Sequence, residues 1–177
     1  GREPTVREAV EALATQVRTG FDGPPQVEAH VRAILGRIQL ALGHAAEARE
    51  HLALALALWE RELGAEHPDT LRALNDCARA AAMAGDLQAA EGLLRRSAEA
   101  CTRVLGPDHL RTFTARNNLA QVLVELRRDA EAEPLLREIL ASQRRLHGER
   151  HPFALVPAHN LGALLVNSNQ VDAAFEA

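Results

Sequence analysis

Apolar residues along the chain recur three or four positions apart, in segments parted by short polar breaks, which is the helical period. Leu119, Val122, Leu123 and Leu126 mark one segment, and Leu135, Leu136, Ile139 and Leu140 mark the next. Val6, Val10, Leu13 and Val17 predict a leading helix that the run from Gly20 to Pro25 ends. The Leu-Ala alternation from Leu52 to Leu58 taken alone would read as a strand. Helical register instead places Leu52, Ala55, Leu56 and Trp59 on one face, and Ala is the best helix former.

These segments repeat. Leu63-Gly64, Leu105-Gly106 and His147-Gly148 stand 42 residues apart, and His67, His109 and His151 keep the same offset. At that spacing Ala48, Ala90, Ala132 and Ala174 form a column of small residues, as do Gly36, Ala78, Ala120 and Gly162. Leu52, Leu94 and Leu136 form a large column, and Leu35, Cys77, Leu119 and Leu161 form another. Alternating large and small columns are what interdigitating helix pairs need.

Each repeat therefore reads as a helical hairpin. Gly43, Gly85 and Asn169 fall at the turn inside it, where a left-handed residue is wanted, and Arg127 fits that place less well. Gly64, Gly106 and Gly148 end the second helices; Pro68 and Pro152, with Asp69 and Asp108, open the next first helices. Pro134 and Pro157 lie inside helical segments and predict a kink or a late start of the last first helix. The expected organisation is a single array. It comprises a leading helix over 5–20, full hairpins over 27–63, 67–105 and 109–147, and a final repeat over 151–177 whose second helix, starting at Val171, is cut short.

Composition narrows the function. The apolar share is 47%, with Tyr 0 and Phe 4, so the core is built from Ala and Leu and favours helix over sheet. Lysine is absent, and a formal charge of -4 leaves no basic footprint for nucleic acid. The longest apolar run, Leu52 to Trp59, is far short of the ~20 residues of a membrane helix. Gly1 to Val10 is polar and resembles no targeting signal, so the chain reads as an internal segment.

Leu119-Ala120 with Ala132 and Leu136, and Leu35-Gly36 with Ala48 and Leu52, resemble the signature spacings of tetratricopeptide (TPR) repeats. The longer unit, with the linker Leu63 to Leu71 and the string Asn117 to Ala120, is similar to kinesin light chain repeats. The resemblance implies an all-α, right-handed superhelix of antiparallel helix pairs. The opening segment, Pro4-Thr5-Val6-Arg7-Glu8, Phe21, Val27-Glu28-Ala29 and Leu35-Gly36, resembles the start of the C-terminal repeat region of bacterial eukaryotic-like serine/threonine kinases. Kinase elements themselves are missing from the sequence: it has no Gly-rich loop, no HRD or DFG string, and no lysine.

Catalytic candidates are weak. His67, His109 and His151 sit one repeat apart, too far to share a metal ion, and read as hydrogen-bonding groups at the starts of helices. His147 and His151 are separated by Gly148 and form no HExxH pair. Cys77 reads as a small core residue, and Cys101, beside Arg103, as partly exposed. Trp59 and Phe113 read as core. Ser97, Ser142 and Ser168 lack a nucleophile turn. Arg95-Arg96, Arg127-Arg128 and Arg144-Arg145 read as outer positions offset by Glu91, Glu125 and Glu138.

In a TPR superhelix the first helices line the concave side. The inward positions the resemblance implies are Arg37, then Arg72, Asn75 and Arg79, then Asn117 and Gln121, then His159 and Asn167. Asn offers both donor and acceptor to an extended backbone, and Arg makes forked bonds to carboxylate or phosphate. The expected function is a protein- or peptide-binding module, without cofactor, metal or catalytic residues, whose ligand is acidic or phosphorylated. Its setting would be the regulatory or scaffolding region of a bacterial signalling protein such as a serine/threonine kinase. The expected location is cytoplasmic, with the extracytoplasmic side of a membrane-anchored kinase as the other choice. Alternatives are a self-associating array joined through open repeat ends, the repeat region of an NTPase-type regulator, and a hydrolase in the groove.

Overall fold

A computed structural model describes residues 5–167; within that span the side chains at positions 6, 7, 9–11, 18, 19 and 167 lie outside the description. Among the described residues the chain forms eight α-helices and no strand. They are α1 (Val6–Thr19), α2 (Pro25–Ala41), α3 (Ala45–Leu63), α4 (Pro68–Met83), α5 (Leu87–Leu105), α6 (Leu110–Glu125), α7 (Asp129–His147) and α8 (Pro152–Asn167). The Asn169 turn, Ala174 and the second helix expected from Val171 fall outside the described residues. The helices group into two compact units, Gly1–Asp86 with α1 to α4 and Leu87–Ala177 with α5 to α8.

Local chemistry sets the helix ends. Thr5 Oγ1 accepts from the Glu8 amide at 3.2 Å while the Glu8 carboxylate accepts from the Thr5 amide at 2.7 Å, a reciprocal cap for α1. The turns after α2, α4 and α6 share one pattern. His44, Asp86 and Arg128 each donate their amide to a carbonyl five residues back, and Gly43, Gly85 and Arg127 to one three back. The residue between must be left-handed, with φ of 82° at Gly43 and Gly85 and 62° at Arg127. Arg127, having a Cβ, holds that conformation at a cost of about 1–2 kcal/mol.

The linkers between repeats are also alike. His67, His109 and His151 each turn Nδ1 back to accept an amide, from Asp69, Arg111 and Phe153, at 3.1 to 3.2 Å. They are helix caps in place of the usual Ser or Asp. Thr70 and Thr112 donate to the carbonyls of Gly64 and Gly106 at 2.8 and 2.7 Å, closing the linker on itself. At the third linker Ala154 occupies the corresponding place and cannot make that bond. Helix α8 starts at Pro152, where a missing amide costs nothing, and runs on through Pro157, so the late start expected of this helix does not occur.

The repeat columns are the core. Ala48, Ala90, Ala132, Ala78 and Ala120 are fully buried, as are Leu52, Leu136 and Leu35, and Leu94, Cys77, Leu119 and Leu161 nearly so. In the first unit α2 and α3 approach so closely at Gly36 that a Cβ there would lie 2.5 Å from Leu52 Cγ and 3.2 Å from the Ala48 carbonyl oxygen. Trp59 and Phe113 are buried, Trp59 meeting the His30 ring edge-on at 5.2 Å. The leading helix is fastened by Ala14 and Val17 packed with Leu35, Phe21 and Val31, and by buried Arg32, which donates to the Val17 carbonyl at 3.0 Å.

Two outcomes test this packing. Gly36→Ala gains the helix preference of Ala, about 1 kcal/mol, but overpacks a contact containing backbone, at about 1–3 kcal/mol. It should lower the midpoint of denaturant unfolding. Gly92→Ala, on the exposed side of α5, meets nothing within 4 Å among the described residues and should raise it; equal shifts would contradict the register. Burial pushes the Cys77 thiol up to about 12, with Asp76 and Glu60 adding to the rise, and burial also raises Cys101. Contrary to the partial exposure expected of it, Cys101 is buried, because it faces the hairpin interior of α5. Both thiols should resist an aromatic disulfide reagent at pH 8 in the folded protein and react at once in denaturant.

Candidate functional site

In the first unit Arg72, Asn75 and Arg79 follow one another at helical spacing along a single face of α4. Arg37 reaches towards them from α2. Its Nη1 lies 3.7 Å from Asp76 Oδ2, while Arg79 donates to Asp76 Oδ1 at 3.3 Å. Asp76 is almost buried, whereas the side chains of Arg37 and Arg79 are 36% and 51% exposed, so the acid is consumed inside a mount that presents two guanidinium groups. Arg72 donates to Asp69 at 2.6 Å and lies 6.0 Å above the Trp59 ring, with its Nε buried. Asn75 is half-buried. Three arginines against two aspartates leave a net positive face, weaker than the arginines alone imply. Asp69 and Asp76 each stand three residues before an arginine of the stripe, a pairing that helical spacing makes legible.

The second unit is differently charged. Asn117 is buried in α6, and its Oδ1 accepts from Asn160 Nδ2 of α8 at 3.2 Å. Asn117 therefore ties two first helices together instead of standing open to a ligand. Gln121 and His159 are exposed; Asn167 closes α8, its side chain outside the description. A cleft of about 180 Å³ opens between α6 and α8, lined by Ala120, Gln121, Val124, Glu125, Leu136, Asn160 and Ala163.

Of the expected charge offsets, Glu91 pairs with Arg95 as expected, while those of Arg127-Arg128 and Arg144-Arg145 differ. The left-handed turn at Arg127 directs Arg128 back to α5, where it donates to both carboxylate oxygens of Glu91 at 2.7 Å, and to Glu131 at 2.6 Å. Arg95 joins the same two acids at 2.9 Å. Glu138 pairs with Arg116, and Arg145 binds Asp108 at 3.0 Å. Glu125 is left without an ion-pair partner among the described residues.

The remaining polar candidates serve the fold. The three linker histidines cap helices, and the His147 and His151 rings stack at 4.7 Å beside Phe153. Among the described residues no group of three His, Cys, Asp or Glu could hold a metal ion, and no helix is long and apolar enough to cross a membrane.

A tetratricopeptide repeat family model matches residues 28–101 and 85–145. Similar solved structures include a Podosopora anserina protein described as a kinesin light chain with nearly identical TPR-like repeats, and a point variant of it. Both are 26% identical, covering 97% of this chain and 82% of that one, with TM-scores of 0.82 and 0.84 for the protein and its variant. BtubC (BKLC) from P. vanneervenii is 18% identical, covers 96% of this chain and 68% of its own, and has a TM-score of 0.80, which speaks to the fold alone. No curated protein matches the chain. With the family matches spanning most of the sequence and falling on the helical hairpins described above, the chain belongs to the tetratricopeptide repeat family, whose repeats serve as protein-interaction scaffolds.

Proposed function

We propose that the first helices hold an extended, acidic or phosphorylated segment of a partner protein, and that the chain is the regulatory or scaffolding region of a larger bacterial signalling protein such as a serine/threonine kinase. The observation that carries the binding mode is the arrangement of Arg37 and Arg79 about Asp76. One nearly buried acid orients two half-exposed guanidinium groups from successive first helices, and such a pair suits forked bonding to carboxylate or phosphate. Arg72 and Asn75 extend that surface along α4; Gln121 and His159, with Asn167, continue the polar composition in the second unit. Asn117 supports it from beneath through Asn160. The kinase setting rests on the resemblance of the opening segment, which in this structure is a capped helix fastened to α2 by Arg32 and the Leu35 cluster.

Self-association is a second reading with an observation of its own. Helix α8 carries no charged residue, and Leu155 and Val166 are 53% and 55% exposed on it. Light scattering over a concentration series separates the two, since a monomer at every concentration removes self-association.

For the binding reading, the informative variant is Arg37→Glu with Arg79→Glu. Arg72 is left intact because it covers Trp59. Arg137→Glu, on the exposed side of α7, is the control, since it gives up only a pair with Glu133 within its own helix; Arg145 is unsuitable because it ties α7 to Asp108 in the linker before α6. Fluorescence polarisation with a panel of acidic and phosphoserine peptides should show affinity that falls with salt in the parent. The double variant should bind about tenfold more weakly or worse, with little salt dependence left, while the control binds as the parent does. Equal loss in both variants, or in neither, removes the first-helix binding mode.

A further inference from the structure

The cleft of the second unit departs from the repeat pattern in a consistent direction. At the repeat offset, the place of Arg37 and Arg79 is taken by Gln121 in α6 and Ala163 in α8. The place of Ala41 and Met83 is taken by Glu125. Positive charge is withdrawn from the cleft wall and a carboxylate is put on it. The lining is otherwise apolar, from Ala120, Val124, Leu136 and Ala163.

Three further features favour a cation there. Glu125 is the last residue of α6, so the cleft sits at the negative end of that helix. No described cation pairs with Glu125, because Arg128 is turned away to Glu91 and Glu131. Asn160 donates its amide to Asn117 and retains its carbonyl oxygen as an acceptor. A volume of about 180 Å³ is several times the ~30 Å³ share of a water molecule and accommodates one long side chain.

We propose that this cleft takes a lysine or arginine side chain of the partner protein, its aliphatic stem against the apolar lining and its charged head on the Glu125 carboxylate. The proposal rests on the reading that the first helices bind an extended segment, and it adds a second recognition element to it. The partner protein then offers a basic residue to the second unit as well as the acidic or phosphorylated stretch that suits Arg37 and Arg79.

The test is an immobilised peptide library with a fixed acidic and phosphoserine stretch and one position varied among Lys, Arg, norleucine and Glu. Norleucine keeps the stem and drops the charge. The parent chain should enrich Lys and Arg about fivefold over norleucine. Glu125→Gln should bring the three to parity, and Glu125→Arg should select Glu. Glu125 is exposed, and both variants should keep the parent's helical circular dichroism and melting temperature. If the parent binds the library without preferring Lys or Arg, or if the preference survives Glu125→Gln, the basic-residue cleft is overturned while peptide binding stands. Retention of no peptide overturns both. Should 1,5-diaminopentane bind in a Glu125-dependent way while Lys peptides are not enriched, the cleft takes a free diamine and the proposal also fails.

Discussion

The rest of the structure depends on how closely two helices of a hairpin can approach. At Gly36 there is no room for even a methyl group between α2 and the Leu52 side chain and Ala48 carbonyl of α3. Small residues at that column let the large residues of the neighbouring column bury completely, as Leu52 and Leu35 do. Since the same columns return every 42 residues, the packing problem is solved once and reused. An Ala- and Leu-based core with few aromatics is sufficient because the helices are close; it would leave voids if they were not.

Between hairpins the chain relies on polar closure. Each linker combines a left-handed glycine, a histidine whose Nδ1 caps the next helix, and in two of three cases a threonine hydroxyl bonded back to the glycine carbonyl. These histidines attract attention in the sequence as potential ligands. In each, Nδ1 is already committed to a backbone amide, and this capping role accounts for their periodicity. The third linker lacks the threonine and instead stacks His147 on His151 beside Phe153, so an aromatic contact stands where a hydrogen bond is missing.

The first helices present unlike surfaces in the two units. In the first, aspartates lie beneath the arginines and orient them; in the second, an asparagine pair joins α6 to α8 beside a cleft whose one carboxylate has no ion-pair partner among the described residues. The same scaffold thus carries different chemistry from repeat to repeat, because the exposed positions of a helix can change without disturbing the buried columns.

Much of the fold was legible in the sequence. Helical periodicity, the 42-residue offset, the small and large columns and the turn glycines are local or repeated signals, and each follows from backbone sterics or from packing that recurs. Thr5 and Glu8, at capping-box spacing, close a reciprocal cap at the start of α1 in the structure. Ion pairs within one helix were legible too, as in Glu91 with Arg95, but those between helices were not. Spacing along the chain suggested that Glu125 offsets Arg127-Arg128 and that Glu138 offsets Arg144-Arg145. The folded chain instead joins Arg128 to Glu91, Arg116 to Glu138 and Arg145 to Asp108. Long charged side chains reach across to neighbouring helices, so their partners depend on which helix lies alongside and how a turn aims the next residue. The sequence by itself determined the period, the helices, the buried columns and the ion pairs within a helix; tertiary structure alone decided which charges meet between helices, and so which remain open to a partner.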